Sequence, residues 1–241
     1  MTSSSGIYFC LQARTSSERL FAKSLLPFGS NILAELCYRR CTWNNKFFDG
    51  SNLYVLTSND DSDNILCNEL AQRITGIKIV RGDLTNVADR FLSFGNQFGL
   101  SNSDILVRLT ADNPCVDGPL LTSGVSIFIE KNFDYLSSNN DFDTSLGYPV
   151  GLSFEIFRYG YFTELLDISS PLSREHVTTD MRILETDTYA SLTQDDWQLK
   201  FDSKLAVTID RFEDYQRVYN LFDKNNLIQE SCWRIVGRGR G

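Results

Sequence analysis

The chain has 241 residues, of which 42% are hydrophobic, a length that suits one α/β domain with a core large enough to need no staples. Its net charge of −8 repels nucleic acid and anionic membrane over the surface as a whole, while leaving room for a basic cleft that holds a phosphate ligand. No window reaches the ~18 apolar residues of a membrane span, and Met1-Thr-Ser-Ser-Ser-Gly6 lacks the basic start of a secretory leader, so a cytosolic protein is expected.

Ile7–Ala13 is an apolar run of strand type, followed by the polar stretch Arg14–Lys23. Ser30 or Asn31 can cap a helix running to about Cys41. Leu53–Thr57 reads as the second strand, and the cap-rich run Ser58–Asp63 leads into a helix over Asn64–Ile74. Ile77–Arg81 is a third strand and Val87–Phe98 a helix with spaced apolar positions. Asp104–Thr110 is a fourth strand, broken by Asn113-Pro114, and Leu120–Lys131 returns as a helix. This alternation predicts a mostly parallel, doubly wound α/β sheet. The second half is less regular. It offers strands at Asp134–Ser137, Phe154–Phe157 and Leu205–Ile209, an acidic loop at Asn139–Ser145, and helices at Tyr159–Ile168, Arg174–Leu184 and Phe212–Lys224. With no internal repeat and no clear linker, residues 1–241 read as one domain, with a frayed tail from about 235 to 241.

In an open parallel sheet, ligands bind at the carboxyl ends of the strands. Two segments there combine the right chemistry. The first, Gln12 to Lys23, offers Ala13, Arg14, Ser16, Ser17, Arg19 and Lys23: two guanidinium forks, an ammonium, hydroxyls and turn amides. That mixture suits a triphosphate, and it also suits a solvated polar loop; the Walker pattern is absent. The second is Arg108-Leu-Thr110-Ala-Asp112-Asn-Pro114. A carboxylate just past a buried strand can hold Mg²⁺, which takes one or two carboxylates plus waters and phosphates; an Asp/Asn-Pro turn explains the same residues. Asp210 follows the apolar run Leu205–Ile209 in the same manner and is either a second metal ligand or a helix cap. Arg81 and Asp83, after the third strand, are candidates for the nucleotide pocket or simply a turn. Of the six cysteines, none forms a Cys-x-x-Cys pair, so they read as reduced, mostly buried thiols.

Four segments in order, Gln12-Ala-Arg-Thr-Ser-Ser-Glu-Arg-Leu20 with Lys23, Arg108-Leu-Thr-Ala-Asp-Asn-Pro114, Arg174-Glu-His-Val-Thr178 and Val207-Thr-Ile-Asp-Arg-Phe-Glu-Asp214, make a fairly specific pattern. It resembles the SpsF-like cytidylyltransferases of spore-coat polysaccharide biosynthesis, relatives of the synthetases that activate Kdo and sialic acids as CMP-sugars. The likeness runs from about Ile7 to Asp214. It implies a Rossmann-like fold of the nucleotide-diphospho-sugar-transferase (GT-A-like) type, and transfer of CMP from CTP to a small acceptor such as a sugar acid or a phosphorylated sugar or alcohol. It implies that the Arg14–Lys23 loop wraps the phosphates, that Asp112 and Asp210 bind Mg²⁺, and that Tyr148, Gly151, Glu155, Arg174, Glu175 and His176 lie toward the acceptor. The expected partners are CTP and that acceptor, without nucleic acid or membrane, and a homodimer is compatible with the sequence.

Two departures stand out. The family usually reads Leu-Pro-Gly-Lys where this chain has Leu20-Phe21-Ala22-Lys23, and Tyr-Pro-Asp-Gly-Leu-Asp-x-Glu where it has Tyr148-Pro-Val-Gly-Leu-Ser-Phe-Glu155. These substitutions keep open a degenerate, non-catalytic nucleotide-binding protein. A glycosyltransferase on the same type of sheet is the other rival; its usual Asp-x-Asp motif occurs only as Asp141-Phe-Asp143, in a polar loop.

Overall fold

The computed structural model describes residues 5–138, 148–166, 174, 177–179, 181, 189–191 and 205–240. In chain order it contains β1 (Ile7–Gln12), the short hairpin β2 (Pro27–Phe28) and β3 (Asn31–Ile32), α1 (Leu33–Thr42), β4 (Leu53–Ser58), α2 (Asn64–Arg73), β5 (Lys78–Gly82), α3 (Val87–Phe98) and β6 (Ile105–Thr110). There follow α4 (Gly118–Lys131), β7 (Tyr135–Ser137), β8 (Glu155–Arg158), α5 (Tyr159–Leu166), β9 (Tyr189–Ser191), α6 (Phe212–Leu221) and α7 (Cys232–Gly237). Among the described residues no helix is long and apolar enough to cross a membrane.

Seven strands form one sheet in the order β5-β4-β1-β6-β8-β7-β9. β5, β4, β1 and β6 run parallel, β8 is antiparallel to both β6 and β7, and β9 is parallel to β7. The mostly parallel, doubly wound α/β architecture expected from the sequence is therefore the one found. The chain leaves β1 for β4 and β5 on one side, then returns to β6 on the other. The reversal between β1 and β6 is the topological switch point at which such sheets bind ligands.

Strand side chains alternate between two covered faces. Phe9, Leu11, Val55, Val107 and Leu109 pack with α1, α2, α4, α6 and α7 through Leu36, Leu70, Val125, Val218 and Ile235. Cys10, Tyr54, Leu56, Leu106 and Phe157 face α3 and α5 through Phe91, Phe94 and Phe162. Truncating one of these buried phenylalanines would cost ~3–5 kcal/mol, so both faces are needed to hold the strand ends in place.

Several boundaries differ from expectation for local reasons. Ser30 and Asn31 do not cap α1, because residues 27–32 turn back as a hairpin; Glu35 instead accepts from the Ile32 N–H. α4 starts two residues early because the buried Asp117 carboxylate takes the Leu120 N–H. Among the described residues Leu205–Ile209 makes one bridge, Ala206 to Val150, and no ladder. The stretch expected as a tail from about 235 carries secondary structure. Ile235 and Val236 are fully buried in α7, and a short 3₁₀ turn, Arg238–Arg240, follows. The expected loop Asn139–Ser145 and most of the expected helix Arg174–Leu184 lie outside the described residues.

Candidate active site

Three chain segments meet at the carboxyl ends of β1 and β6. Gln12 pairs with Thr110, and the Ala111 N–H donates to the Gln12 carbonyl (2.9 Å), so the two exits run side by side. The third segment arrives from far along the chain. The Val207 N–H donates to Val150 O (2.6 Å) and the Ile209 N–H to Asp112 O (2.9 Å). This second bond puts Asp210 beside Asp112. Gly151 makes the approach possible: its φ is +101°, and a Cβ there would lie 2.2 Å from the Thr208 nitrogen. Backbone crowding explains why a glycine stands here.

The first loop is cross-tied at both ends, while Glu18, Arg19 and Phe21 between them are exposed. Thr15 gives its N–H and its hydroxyl to Asp63 Oδ1, both at 2.7 Å, and the Ala22 N–H donates to Thr15 O (2.8 Å). Ser24 donates its hydroxyl to Arg14 O (2.9 Å). Asp63 is fully buried and also accepts from the Thr57 hydroxyl and from the N–H and hydroxyl of Ser58. Burial alone would raise its carboxyl pKa, but the hydrogen bonds from Ser58, Thr15 and Thr57 outweigh that and hold it below the ordinary value. Sequence reading sees Asp63 only as a cap residue; its grip on Thr15, 48 positions away, has no local signal.

Within this frame lies a cleft of about 450 Å³, a size typical of small-ligand sites. Ala13, Arg14, Ser17, Arg19, Lys23, Arg108, Thr110, Asp112 and Asp210 line it. On one side Lys23 Nζ donates to Asp112 Oδ2 (2.7 Å), Ile209 O (3.0 Å) and Asp210 Oδ1 (3.1 Å), and Arg19 Nη2 donates to Asp210 Oδ1 (2.9 Å). On the other side Arg14 and Arg90 share one carbonyl: Arg14 Nη1 reaches Leu84 O at 3.5 Å and Arg90 Nη2 at 2.8 Å, while Arg90 Nε donates to Asp83 O (2.6 Å). Among the described residues neither is paired with a carboxylate. Burial, and then the Arg14 charge, lower Arg90 to about 10. Deeper in, Arg108 Nη1 donates to Glu155, which is buried and also accepts from the Tyr135 and Thr178 hydroxyls (both 2.6 Å).

Other residues singled out in the sequence are placed elsewhere. Ser16 is not in the cleft wall, and its hydroxyl is buried without a partner among the described residues. Arg81 turns away to Ser58 O, Asp60 O and Asn64 Oδ1, and Asp83 folds its carboxylate onto the N–H groups of Asn86 and Thr85. Those bonds lower the Asp83 pKa, and neither residue lines the cleft. Tyr148 is buried against Trp233, with ring centroids 6.2 Å apart. Glu155 stands behind Arg108 rather than in the wall. Arg174 is exposed, and Glu175 and His176 lie outside the described residues. Conversely, Arg90 and Gln12 line the cleft without having been singled out as site residues.

The two acids suit a divalent cation. Both present an oxygen to the same positively charged nitrogen, which is the demand a metal ion would make. Among the described residues no cluster of three or more His, Cys, Asp or Glu side chains could hold a metal alone. A metal here would take its remaining ligands from water and from bound phosphates, as Mg²⁺ commonly does.

A doubly wound sheet, cations and paired carboxylates at its switch point, and a cleft sized for a nucleotide define the nucleotidyltransferase class of α/β proteins. The chain belongs to the cytidylyltransferase family, whose model matches residues 9–153. It is 32% identical over 172 residues to an uncharacterized protein of Methanocaldococcus jannaschii, an alignment covering 70% of this chain and 63% of that protein's length. It is 29% identical over 222 residues to the spore coat polysaccharide biosynthesis protein SpsF of Bacillus subtilis, covering 90% of this chain and 87% of that one. A solved cytidylyltransferase from Leptospira borgpetersenii superimposes with a TM-score of 0.83 at 26% identity, covering 98% of this chain and 94% of the other.

Proposed function

We propose that this chain, acting as one domain over residues 1–241, transfers CMP from CTP to a small acceptor with release of pyrophosphate. The acceptor is a sugar acid or a phosphorylated sugar or alcohol, and the product a precursor for a surface polysaccharide or glycan. The observation that carries this reading is the meeting of Lys23 with Asp112 and Asp210 in the cleft wall. Family membership and the likeness to SpsF support the choice of CTP and of the pathway class.

In the proposed reaction an acceptor oxygen attacks the α-phosphorus in line. The new O–P bond forms as the bond from that phosphorus to the β-phosphate oxygen breaks, and pyrophosphate leaves with the electron pair. Any acceptor hydroxyl proton passes to solvent. Bound Mg²⁺ would neutralise charge on the α-phosphate and orient it; Asp112 and Asp210 would hold it. Arg14, Arg19 and Lys23 bind the outer phosphates and stabilise the charge that collects on pyrophosphate. Arg90 supports Arg14 through the shared Leu84 carbonyl. Catalysis is mainly positioning and charge neutralisation.

The test is a pyrophosphate-release screen of the four nucleoside triphosphates against sugar acids and sugar phosphates with Mg²⁺. Acceptor-dependent release from CTP alone is the expected result. Release of nucleoside diphosphate from a nucleotide sugar would mark a glycosyltransferase. Absence of turnover with measurable CTP binding would mark a binding protein.

A further inference from the structure

The Lys23 ammonium stands where a divalent cation would have to act. It has three hydrogens to donate, and Asp112 Oδ2, Asp210 Oδ1 and Ile209 O take all three. None remains for a phosphate. The same lysine therefore cannot hold the acids and a triphosphate together. Nor can a dication join it between the two carboxylates without strong like-charge repulsion. Arg19 is in the same position to a lesser degree, because it too is tied to Asp210.

We infer that Lys23 is a removable internal counter-ion, which closes the carboxylate pair in the nucleotide-free protein and transfers to the triphosphate when the metal enters. This rests on the metal-binding reading of Asp112 and Asp210 proposed above. The backbone supports a movement confined to the side chain. Lys23 lies between two ties, the Ala22 N–H on Thr15 O and the Ser24 hydroxyl on Arg14 O, and the loop beneath is anchored on Asp63. The ammonium can swing while its Cα stays fixed.

The exchange couples two ligands. A metal ion arriving alone must evict Lys23 into a cleft whose other lining carboxylate, Glu18, is exposed to solvent and so offers a weaker partner than the paired acids. A triphosphate arriving alone finds Lys23 held by two acids. Together, each supplies what the other displaces. Metal and nucleotide are thus admitted cooperatively, and the acids do not collect divalent ions in the absence of substrate.

The experiment is a Mn²⁺ titration of the full chain, following the free-ion signal by electron paramagnetic resonance, with and without CTP. Without nucleotide, Lys23→Met should bind Mn²⁺ at least about tenfold more tightly than the unmodified protein, a coupling of ordinary size. The strengthening of Mn²⁺ binding by CTP should shrink in that variant. Lys23→Gln, which keeps a neutral donor between the acids, serves as a second variant should the methionine protein not fold, and should move in the same direction. Unchanged or weaker Mn²⁺ binding in a folded Lys23 variant would overturn the inference while leaving the metal site intact. Asp112→Asn and Asp210→Asn separate the two ideas. Both should lose Mn²⁺ binding in the presence of CTP; if both retain it, the metal reading fails, and the counter-ion role with it.

Discussion

The two walls of the cleft are built on opposite electrostatic plans. Around Asp112 and Asp210 the charges are closed on themselves, with Lys23 and Arg19 already spent on carboxylates. Around Arg14 and Arg90 two guanidinium groups rest on backbone carbonyls with no acid between them. The second wall is an anion site ready in advance. The first must exchange partners before it can act. A site of this kind can anchor a phosphate chain on its fixed wall and use it to draw open the other.

The largest effect should come from breaking the closed wall. Asp112→Asn and Asp210→Asn preserve shape and remove one charge. Each should lower divalent-dependent turnover by ~10²- to 10³-fold, by comparison with lost transition-state charge stabilisation of ~3–4 kcal/mol. Steady-state pyrophosphate release measures it. Near-normal turnover with an unchanged metal requirement in either variant would remove that residue from the metal site.

Asp63 tests what keeps the other wall fixed. Asp63→Asn removes a buried charge and turns an amide N–H toward donors on Thr15 and Ser58. The expected loss is ~2–3 kcal/mol of stability, the usual cost of unpaired buried donors. Because the folded-state pKa of Asp63 is depressed, its contribution is present above the unfolded value of about 3.9 and is lost as pH falls through the lower folded value. The variant should therefore lose less stability than the unmodified protein between about pH 5 and acid. Urea unfolding at several pH values decides it; parallel pH profiles for the two proteins would show that Asp63 is not a titrating anchor.

Arg14→Ala probes the open wall directly. It should weaken CTP about 10- to 100-fold, the value of a hydrogen bond to a charged group, and weaken CMP far less. Calorimetric titration of both nucleotides checks this, and equal weakening would place Arg14 away from the outer phosphates.

Much of this comparison is legible in the sequence, but unevenly. The parallel half reads well because β1, β4 and β6 are compact, largely buried apolar runs; Val87–Phe98 is found with the expected ends. Asp112 and Asp210 can be named because both follow apolar runs that finish at the same sheet edge. Arg90 cannot. On an amphipathic helix an arginine reads as solvent-facing, yet this one is 1% exposed against the turn after β5. Arg81 and Asp83 are the converse case, charged residues at a strand end whose side chains the backbone consumes. Leu205–Ile209 has the composition of a strand but, among the described residues, finds a single bridging neighbour, Val150. Pairing over distance decides each of these, and the local pattern does not carry it.

The smallest effect concerns the residue that aims Lys23. Ala22 sits at φ 54°, in the left-handed region, where a Cβ costs ~1–2 kcal/mol. The family's usual glycine at this place would avoid that cost. Asn44 and Asn132 have similar φ values of 50° and 54°, but asparagine adopts this conformation readily. Ala22→Gly should therefore stabilise the protein, by ~0.5–1 kcal/mol after the extra entropy that glycine gains on unfolding is subtracted. For a chain of this size that is a rise in Tm of about 1–4 °C. Asn132→Gly, at the end of α4, should gain less. The pair isolates strain from glycine's own flexibility. A fall in Tm for Ala22→Gly, or an equal gain for Asn132→Gly, would mean that Ala22 carries no special strain. The lysine beside it would then be aimed by its side-chain bonds alone.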